Sequence, residues 1–413
     1  MEQRFAWLNS ILLCLIITFY LISIKLCNLF IILYCLNWVV WFIKYPKNFK
    51  WPNPFSFLVI LPYLIGILTL FYSEDVKEAT FSIEKKLSLI LFPIMISMSK
   101  NLTQGEKSKI FKLGLGTLLA VTFFYLSFAG YKWVVYGINK FYWKDLTEPL
   151  DFHPSYLSLY INLFIYWLGL ELIQNWDSWR RGRIIWVLLT LGYFLFVQVL
   201  LSSKVQLVIS FVCLGIILFR IVSRSSLKWK LLLLISTLTM VLILSTFWKK
   251  APLERFGHIS RIEYKLDAPV ETFNELTIRF ALIECAWMVV KENLVFGVGI
   301  GDVRKELDKV YRKVDYKFGY LDNQDPHNQY LQIAIGSGIV GLLIFLISFL
   351  VPLYFSILAN DKFYIFFSVL FLFSFLFESV LERHNGIILY SFFNSLLLFG
   401  NKSFLATTNE SSK

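Results

Sequence analysis

A chain of 413 residues that is 57% hydrophobic and 18% aromatic, with a mean hydropathy of +0.64, holds far more apolar surface than a soluble fold of this length buries. It reads as an integral membrane protein. The formal net charge of +12 does not point to nucleic acid, because Lys and Arg gather in short loops and no basic domain long enough to hold DNA or RNA stands outside the apolar runs.

Those runs recur from end to end at about the 17–25 residues a helix needs to cross a hydrocarbon core of about 30 Å. The pattern predicts an all-α polytopic membrane protein with about twelve transmembrane helices. Nine fall within 1–247, at 8–24, 27–43, 55–72, 87–98, 110–130, 155–174, 184–200, 205–221 and 231–247. A large polar loop, 248–327, precedes three more within 328–400, at 328–357, 362–378 and 387–400; residues 401–413 form a Ser/Thr-rich tail. The first run lacks a small-residue cleavage site and is taken as a span rather than a removable signal. No soluble domain is expected on either side of the membrane part.

Alternate loops are basic: Lys44, Lys47 and Lys50; Lys100, Lys107, Lys109 and Lys112; Arg180, Arg181 and Arg183; Arg220, Arg224, Lys228 and Lys230. Because positive loops stay cytoplasmic, both termini are expected inside, and the loop 248–327 outside. Segments 73–86 and 131–154, the Ser202-Ser203-Lys204 turn and the stretch Glu378 to Gly386 face the same outer side. Of the five cysteines, Cys14, Cys27, Cys35 and Cys213 lie in apolar spans and no two form a CxxC pair, so neither a disulfide nor a metal framework is implied.

Several polar groups reach the outer face. Lys204 follows a turn so short that its ammonium sits at or below the membrane surface, as an interface anchor or as the partner of an anion. His153, in Asp151-Phe152-His153-Pro154, and Arg383-His384 each read alone as helix-end residues. The loop 248–327 carries Arg255 and Arg261 and balances basic against acidic side chains, which favours specific pockets over general adhesion. Within it, Glu275 to Asn293 reads as an amphipathic helix with Leu276, Phe280, Ile283 and Trp287 on its apolar face. Arg279 borders that face and either pairs with Glu275, snorkels to headgroups or serves a site. Phe296-Gly297-Val298-Gly299-Ile300-Gly301 follows. With no preceding strand and no Lys-Ser/Thr after it, it reads as a sharp turn for close packing rather than a phosphate cradle.

His327 ends the loop in Asp325-Pro326-His327-Asn328-Gln329, and the apolar run it opens carries Gly338 and Gly341. Alone it is a capping residue or a titratable base; Gly338 and Gly341 suit close packing between spans. Asp322, Asp325 and His327 make a poor metal site in a loop. An outward site of one His with several cations has no cytoplasmic nucleotide to draw on, so an enzyme there needs a donor already activated and carried by lipid. A polyprenyl diphosphate-linked sugar fits. Cations would bind the diphosphate and offset the charge growing on it, and a base is useful only on the attacking hydroxyl.

The His327-Asn328…Gly338-x-x-Gly341 signature, the large late loop and its helix arginine resemble the O-antigen ligase family, which is similar to O-antigen polymerases and protein O-oligosaccharyltransferases. Further echoes are Tyr72-Ser73-Glu74-Asp75 and Glu378-Ser379-Val380-Leu381-Glu382-Arg383. The resemblance implies a GT-C-like membrane fold in the bacterial inner membrane, with the active site on the periplasmic face beneath the loop. It implies inverting, metal-independent transfer of a glycan from an undecaprenyl diphosphate carrier to a hydroxyl acceptor such as lipid A-core, with no cofactor. The family's histidine falls on His327 as the catalytic base, and its loop arginine on Arg279 as a diphosphate ligand. Where the family has an earlier arginine this chain has Lys204, which keeps charge but loses the bidentate fork. Arg255, Arg261, Arg383 and His153 are secondary candidates. Leu342 and Leu343 replace two threonines of enterobacterial members, leaving acceptor type open. An O-antigen or exopolysaccharide polymerase would use the same donor; a lipid-linked oligosaccharide transporter would show paired halves and mid-membrane charges, which this chain lacks.

Overall fold

The computed structural model describes residues 2–46, 52–99, 102–224, 265–267 and 275–399, and every regular element among them is helical. The protein is a multi-pass membrane protein. Among the described residues, seven helices are long and apolar enough to cross a membrane: Arg4–Ile22, Ile24–Lys44, Gln104–Tyr136, Pro154–Asn175, Arg181–Leu201, Lys204–Ile221 and Gln329–Leu358. Pro54–Thr69 and Lys362–Ser374 are apolar but shorter. The expected runs 87–98 and 387–400 appear as Ser88–Met98 and His384–Phe399. These two pack on each other, with Phe92 edge-on to Phe392 at 5.4 Å. Ser88–Met98, at 11 residues, rises only about 16 Å, short of a hydrocarbon core. The expected span 231–247 lies outside the described residues.

The chain divides into two compact units, one of residues 1–13, 28–109 and 261–413, the other of 14–27 and 110–260. In the first, the Gln329–Leu358 helix packs on Pro54–Thr69 and on the loop helix Glu275–Glu292. The loop helix confirms the expected helical segment but turns a different face inward. Ala281, Leu282, Cys285, Ala286, Val289 and Val290 are buried, whereas Phe280 and Trp287 are nearly half exposed. Small and aliphatic side chains let this helix approach Val303, Leu307, Tyr311, Ala334 and Ile335 closely. The bulky aromatic rings have no room there and face outward.

The central helix is broken. Gly338 has φ +65° and ψ −169° inside Gln329–Leu358, a conformation a side chain resists. The backbone groups around the break are taken up by the Gly-rich turn. Val298 donates to the Ile335 carbonyl at 2.8 Å, Gly299 to Gly336 at 2.9 Å, and Ile339 donates back to Leu294 at 2.8 Å. A Cβ on Gly338 would lie 2.1 Å from the Val295 oxygen, and one on Gly297 2.4 Å from the Ile335 oxygen. The other side of the turn rests on Tyr72-Ser73-Glu74-Asp75. Tyr72 donates to the Phe296 carbonyl at 2.7 Å, and Gly301 donates to Ser73 Oγ at 3.4 Å. The buried Asp302 carboxylate accepts from the Glu74 and Asp75 amides at 2.6 and 3.1 Å. The turn is thus a packing device, and its amides, spent on protein acceptors, have nothing left for a phosphate. Gly338 meets this turn rather than another span, while Gly341 sits against Ile65 of Pro54–Thr69.

In the second unit, Pro154–Asn175 packs between Arg181–Leu201 and Lys204–Arg224. Polar side chains buried in this apolar bundle bond to one another and to backbone carbonyls. Asn162 donates to Gln206 Oε1 at 3.0 Å and accepts from Ser210 Oγ at 2.6 Å; Gln198 donates to the Ser158 carbonyl at 2.8 Å. Such bonds between membrane helices are worth roughly 0.6 kcal/mol each and fix register. Lys204 opens its helix after Ser203, and Ser202, with φ +51°, closes the preceding one.

Gly338→Ala is expected to lose about 1–3 kcal/mol or more through strain and the clash with Val295, lowering the apparent Tm in detergent. Gly116→Ala, where a Cβ would meet nothing within 4 Å, should leave the Tm unchanged or slightly raised.

Candidate active site

His327 is held in the left-handed region, φ +46°, where non-glycine residues are uncommon. Its own amide secures the turn by donating to Asp325 Oδ1 at 2.8 Å. Asn328 then caps the Gln329–Leu358 helix, its Oδ1 accepting from the Leu331 amide at 3.1 Å. The histidine is therefore fixed one residue before the helix begins, by a strained turn and a side-chain cap.

The segment after Lys362–Ser374 is stitched to that helix start. Gln329 donates its amide to the Phe375 carbonyl at 2.8 Å and accepts from the Leu381 amide at 2.6 Å; Asn328 Nδ2 donates to Leu376 at 3.2 Å. This brings Glu378 to the imidazole. Glu378 Oε2 lies 3.3 Å from His327 Nδ1, and its Oε1 lies 3.6 Å from the Arg279 guanidinium, which also donates to the Phe377 carbonyl. One carboxylate thus bridges the histidine and the arginine. Asp325 Oδ1 stands 3.6 Å from Nδ1 and accepts from Ser379 Oγ at 3.2 Å, while its Oδ2 faces Arg383 at 3.9 Å. Nearby, Lys86 pairs with Glu382 at 2.6 Å.

Burial of His327 works against its charged form, but the hydrogen bond to Glu378 and the charges of Asp325 and Glu378 outweigh both that and the repulsion from Arg279. Its pKa is raised above the usual imidazole value. The other ring nitrogen, Nε2, lies 3.0 Å from Gln324 Oε1. With acceptors on both sides the ring satisfies them as imidazolium. Rotation of the Gln324 amide would present a donor to Nε2 and match the neutral form.

His327, Arg279 and Arg383 are therefore brought together within the first unit. Arg279 pairs with Glu378 and the Phe377 carbonyl, a partner the sequence reading did not supply. Lys204 and His153 belong to the second unit. There His153 caps Pro154–Asn175 by accepting from the Ser155 amide at 3.3 Å, and its ring lies 5.8 Å from that of Trp143. Arg255 and Arg261 lie outside the described residues. Sequence reasoning assigned no role to Glu378, Gln324 or Gln329. The only signal for Glu378 was its place in the Glu378-to-Arg383 string at the end of an apolar run.

A multi-pass helical protein with a histidine, two carboxylates and two arginines at the start of a broken membrane helix defines the class. Residues 186–346, which include Lys204, Arg279, His327, Gly338 and Gly341, match the family model for O-antigen ligase. This match covers less than half of the chain, and it supports the resemblance to the O-antigen ligase family read from the signature. No curated protein matches the chain.

Removing the negative charge with Glu378→Gln should lower the His327 pKa, since a carboxylate that favours imidazolium is lost while Arg279 remains. Titration of histidine-labelled protein by NMR would show the His327 midpoint moving to lower pH.

Proposed function

We propose that the protein transfers a glycan from an undecaprenyl diphosphate carrier to a hydroxyl acceptor such as lipid A-core, with inversion and without a metal. The observation that carries this reading is the single carboxylate, Glu378, touching both His327 and Arg279 within the first unit. In this mechanism Glu378 accepts the Nδ1 proton bond and orients the ring. Nε2 takes the proton of the acceptor hydroxyl as its oxygen attacks the sugar C1 from the face opposite the diphosphate. The base contributes typically 10²–10⁴-fold.

Arg279 would hold the diphosphate and offset the charge it gains as the C1–oxygen bond breaks, the role that the resemblance also gives Lys204. The diphosphate leaves without needing a proton, so the imidazolium keeps the proton it has taken until turnover ends. Arg383 is a further cation for the donor, and Arg255 and Arg261 are candidates for the same role. On this reading the site faces the periplasm of a bacterial inner membrane, with both termini in the cytoplasm.

Leu342 packs against the core of the outer loop and Leu343 faces outward. Both stand about four helical turns beyond His327. The threonine hydroxyls absent there take nothing from the polar set around the histidine, so this departure bears on the acceptor rather than the chemistry. Polymerase action, in which a second lipid-linked glycan is the acceptor, uses the same residues.

His327→Ala should abolish transfer by purified protein given donor and acceptor, while the variant still accumulates in the membrane; wild-type transfer would refute the role. Offering lipid A-core and lipid-linked glycan separately separates ligase from polymerase, and a transporter would form no new glycosidic bond. Because only the neutral ring accepts a proton, activity should rise with pH through the raised His327 pKa. In Glu378→Gln that rising limb should move to lower pH.

A further inference from the structure

A second polar constellation stands in the second unit, where Gln104–Tyr136, Pro154–Asn175 and Arg181–Leu201 border a cavity of about 320 Å³. Three charged side chains line it: Lys112, Glu171 and Arg183. So do three tryptophans: Trp167, Trp179 and Trp186. The rest of the wall is aliphatic. Arg183 lies over the Trp179 ring at 3.9 Å, which holds the guanidinium in a fixed plane. Trp167 is stacked on Phe111 at 5.3 Å and is equally fixed. Among the described residues, no ion pair joins Glu171 to Lys112 or to Arg183, although all three border the same space.

Two cations and one carboxylate that share a cavity without neutralising one another ask for a ligand carrying both signs. The setting narrows its class. Each charged residue lies in a terminal region of an apolar helix, and tryptophan at such ends marks the membrane–water interface. A cavity of this size takes a headgroup and its glycerol rather than a whole lipid.

We propose that this cavity binds the headgroup of phosphatidylethanolamine, with Lys112 and Arg183 on the phosphate and Glu171 on the ammonium. A purely anionic headgroup would place its charge beside Glu171 without compensation. A choline headgroup would offer Glu171 no N–H donor.

The test uses full-length protein in nanodiscs of equimolar phosphatidylethanolamine and phosphatidylglycerol, transferred to mild detergent, with retained lipid counted by native mass spectrometry. One phosphatidylethanolamine per chain should survive, enriched several-fold over phosphatidylglycerol. The double variant Lys112→Gln/Arg183→Gln should lose retention by about 30-fold, two surface cations' worth of phosphate attraction. Lys112→Arg should keep it, and Glu171→Gln should still hold lipid but with the preference for the amine headgroup gone. All four proteins must elute as the wild type does on gel filtration. Retention at the bulk ratio, enrichment of phosphatidylglycerol in the wild type, or undiminished retention in the double variant would each overturn the proposal.

Discussion

The constraint on which the first unit depends is the pairing of backbone groups where the Gln329–Leu358 helix breaks. Inside a membrane a freed amide or carbonyl without a partner costs several kcal/mol, so irregular backbone survives there only when protein covers it. Leu294 to Gly299 supplies that cover through four bonds to residues 335–340. The turn is the direct continuation of the loop helix Glu275–Glu292, so docking the turn also docks that helix. Its far end then delivers Arg279 to Phe377 and Glu378, beside the start of the broken helix. The two helices are held at both ends, Gly338 against Val295 at one and Arg279 near His327 at the other. A break at Gly338, well along the helix from its start at Gln329, thereby fixes the geometry of the site.

Charge at the site is nearly balanced by design of its contacts. Asp325 and Glu378 face His327, Arg279 and Arg383, and the side chains of His327, Asp325, Glu378 and Arg279 all remain about a quarter exposed. Full burial would have forced the carboxylates or the ring toward neutrality. Partial exposure leaves the ions in place while keeping enough low-dielectric surroundings for Glu378 to dominate the imidazole. The resulting rise in pKa is a contest that hydrogen bonding and attraction win against burial.

What was legible in the sequence follows from which interactions are local. The helices were readable from the length of apolar runs and the tight Ser202–Lys204 turn from residue type, whereas the cap of the Gln329–Leu358 helix falls on Asn328 rather than on His327. The Gly-rich turn was read as a packing element because it lacked the strand and Lys-Ser/Thr of a phosphate cradle, and its amides prove to be spent on the broken helix. The inward face of the loop helix was misread, since spacing picks out the largest apolar residues, whereas close helix contacts select small ones such as Ala281, Ala286 and Cys285. Glu378 was invisible as a partner because it reaches His327 from 51 residues away, through the folding of the two intervening helices. Nothing in local pattern encodes that encounter; the pairing of Gln329 with Phe375 and Leu381 and of Asn328 with Leu376 does.

The resting ion pairs also bear on how a diphosphate would be received. Arg279 stands 3.6 Å from Glu378, beyond good hydrogen-bond distance, while it donates firmly to the Phe377 carbonyl. The guanidinium is thus anchored through a neutral acceptor and only loosely engaged by the carboxylate. A planar fork held in this way can exchange Glu378 for a phosphate oxygen without losing its anchor. That exchange would remove one competitor for Glu378, strengthening the carboxylate's hold on Nδ1 at the moment when the ring must accept a proton at Nε2. Under the proposed mechanism, donor binding and activation of the base are then linked through one carboxylate. The loose contact between Glu378 and Arg279 is what allows the linkage, because a tight bidentate pair would resist the exchange and cost the donor the full price of breaking it.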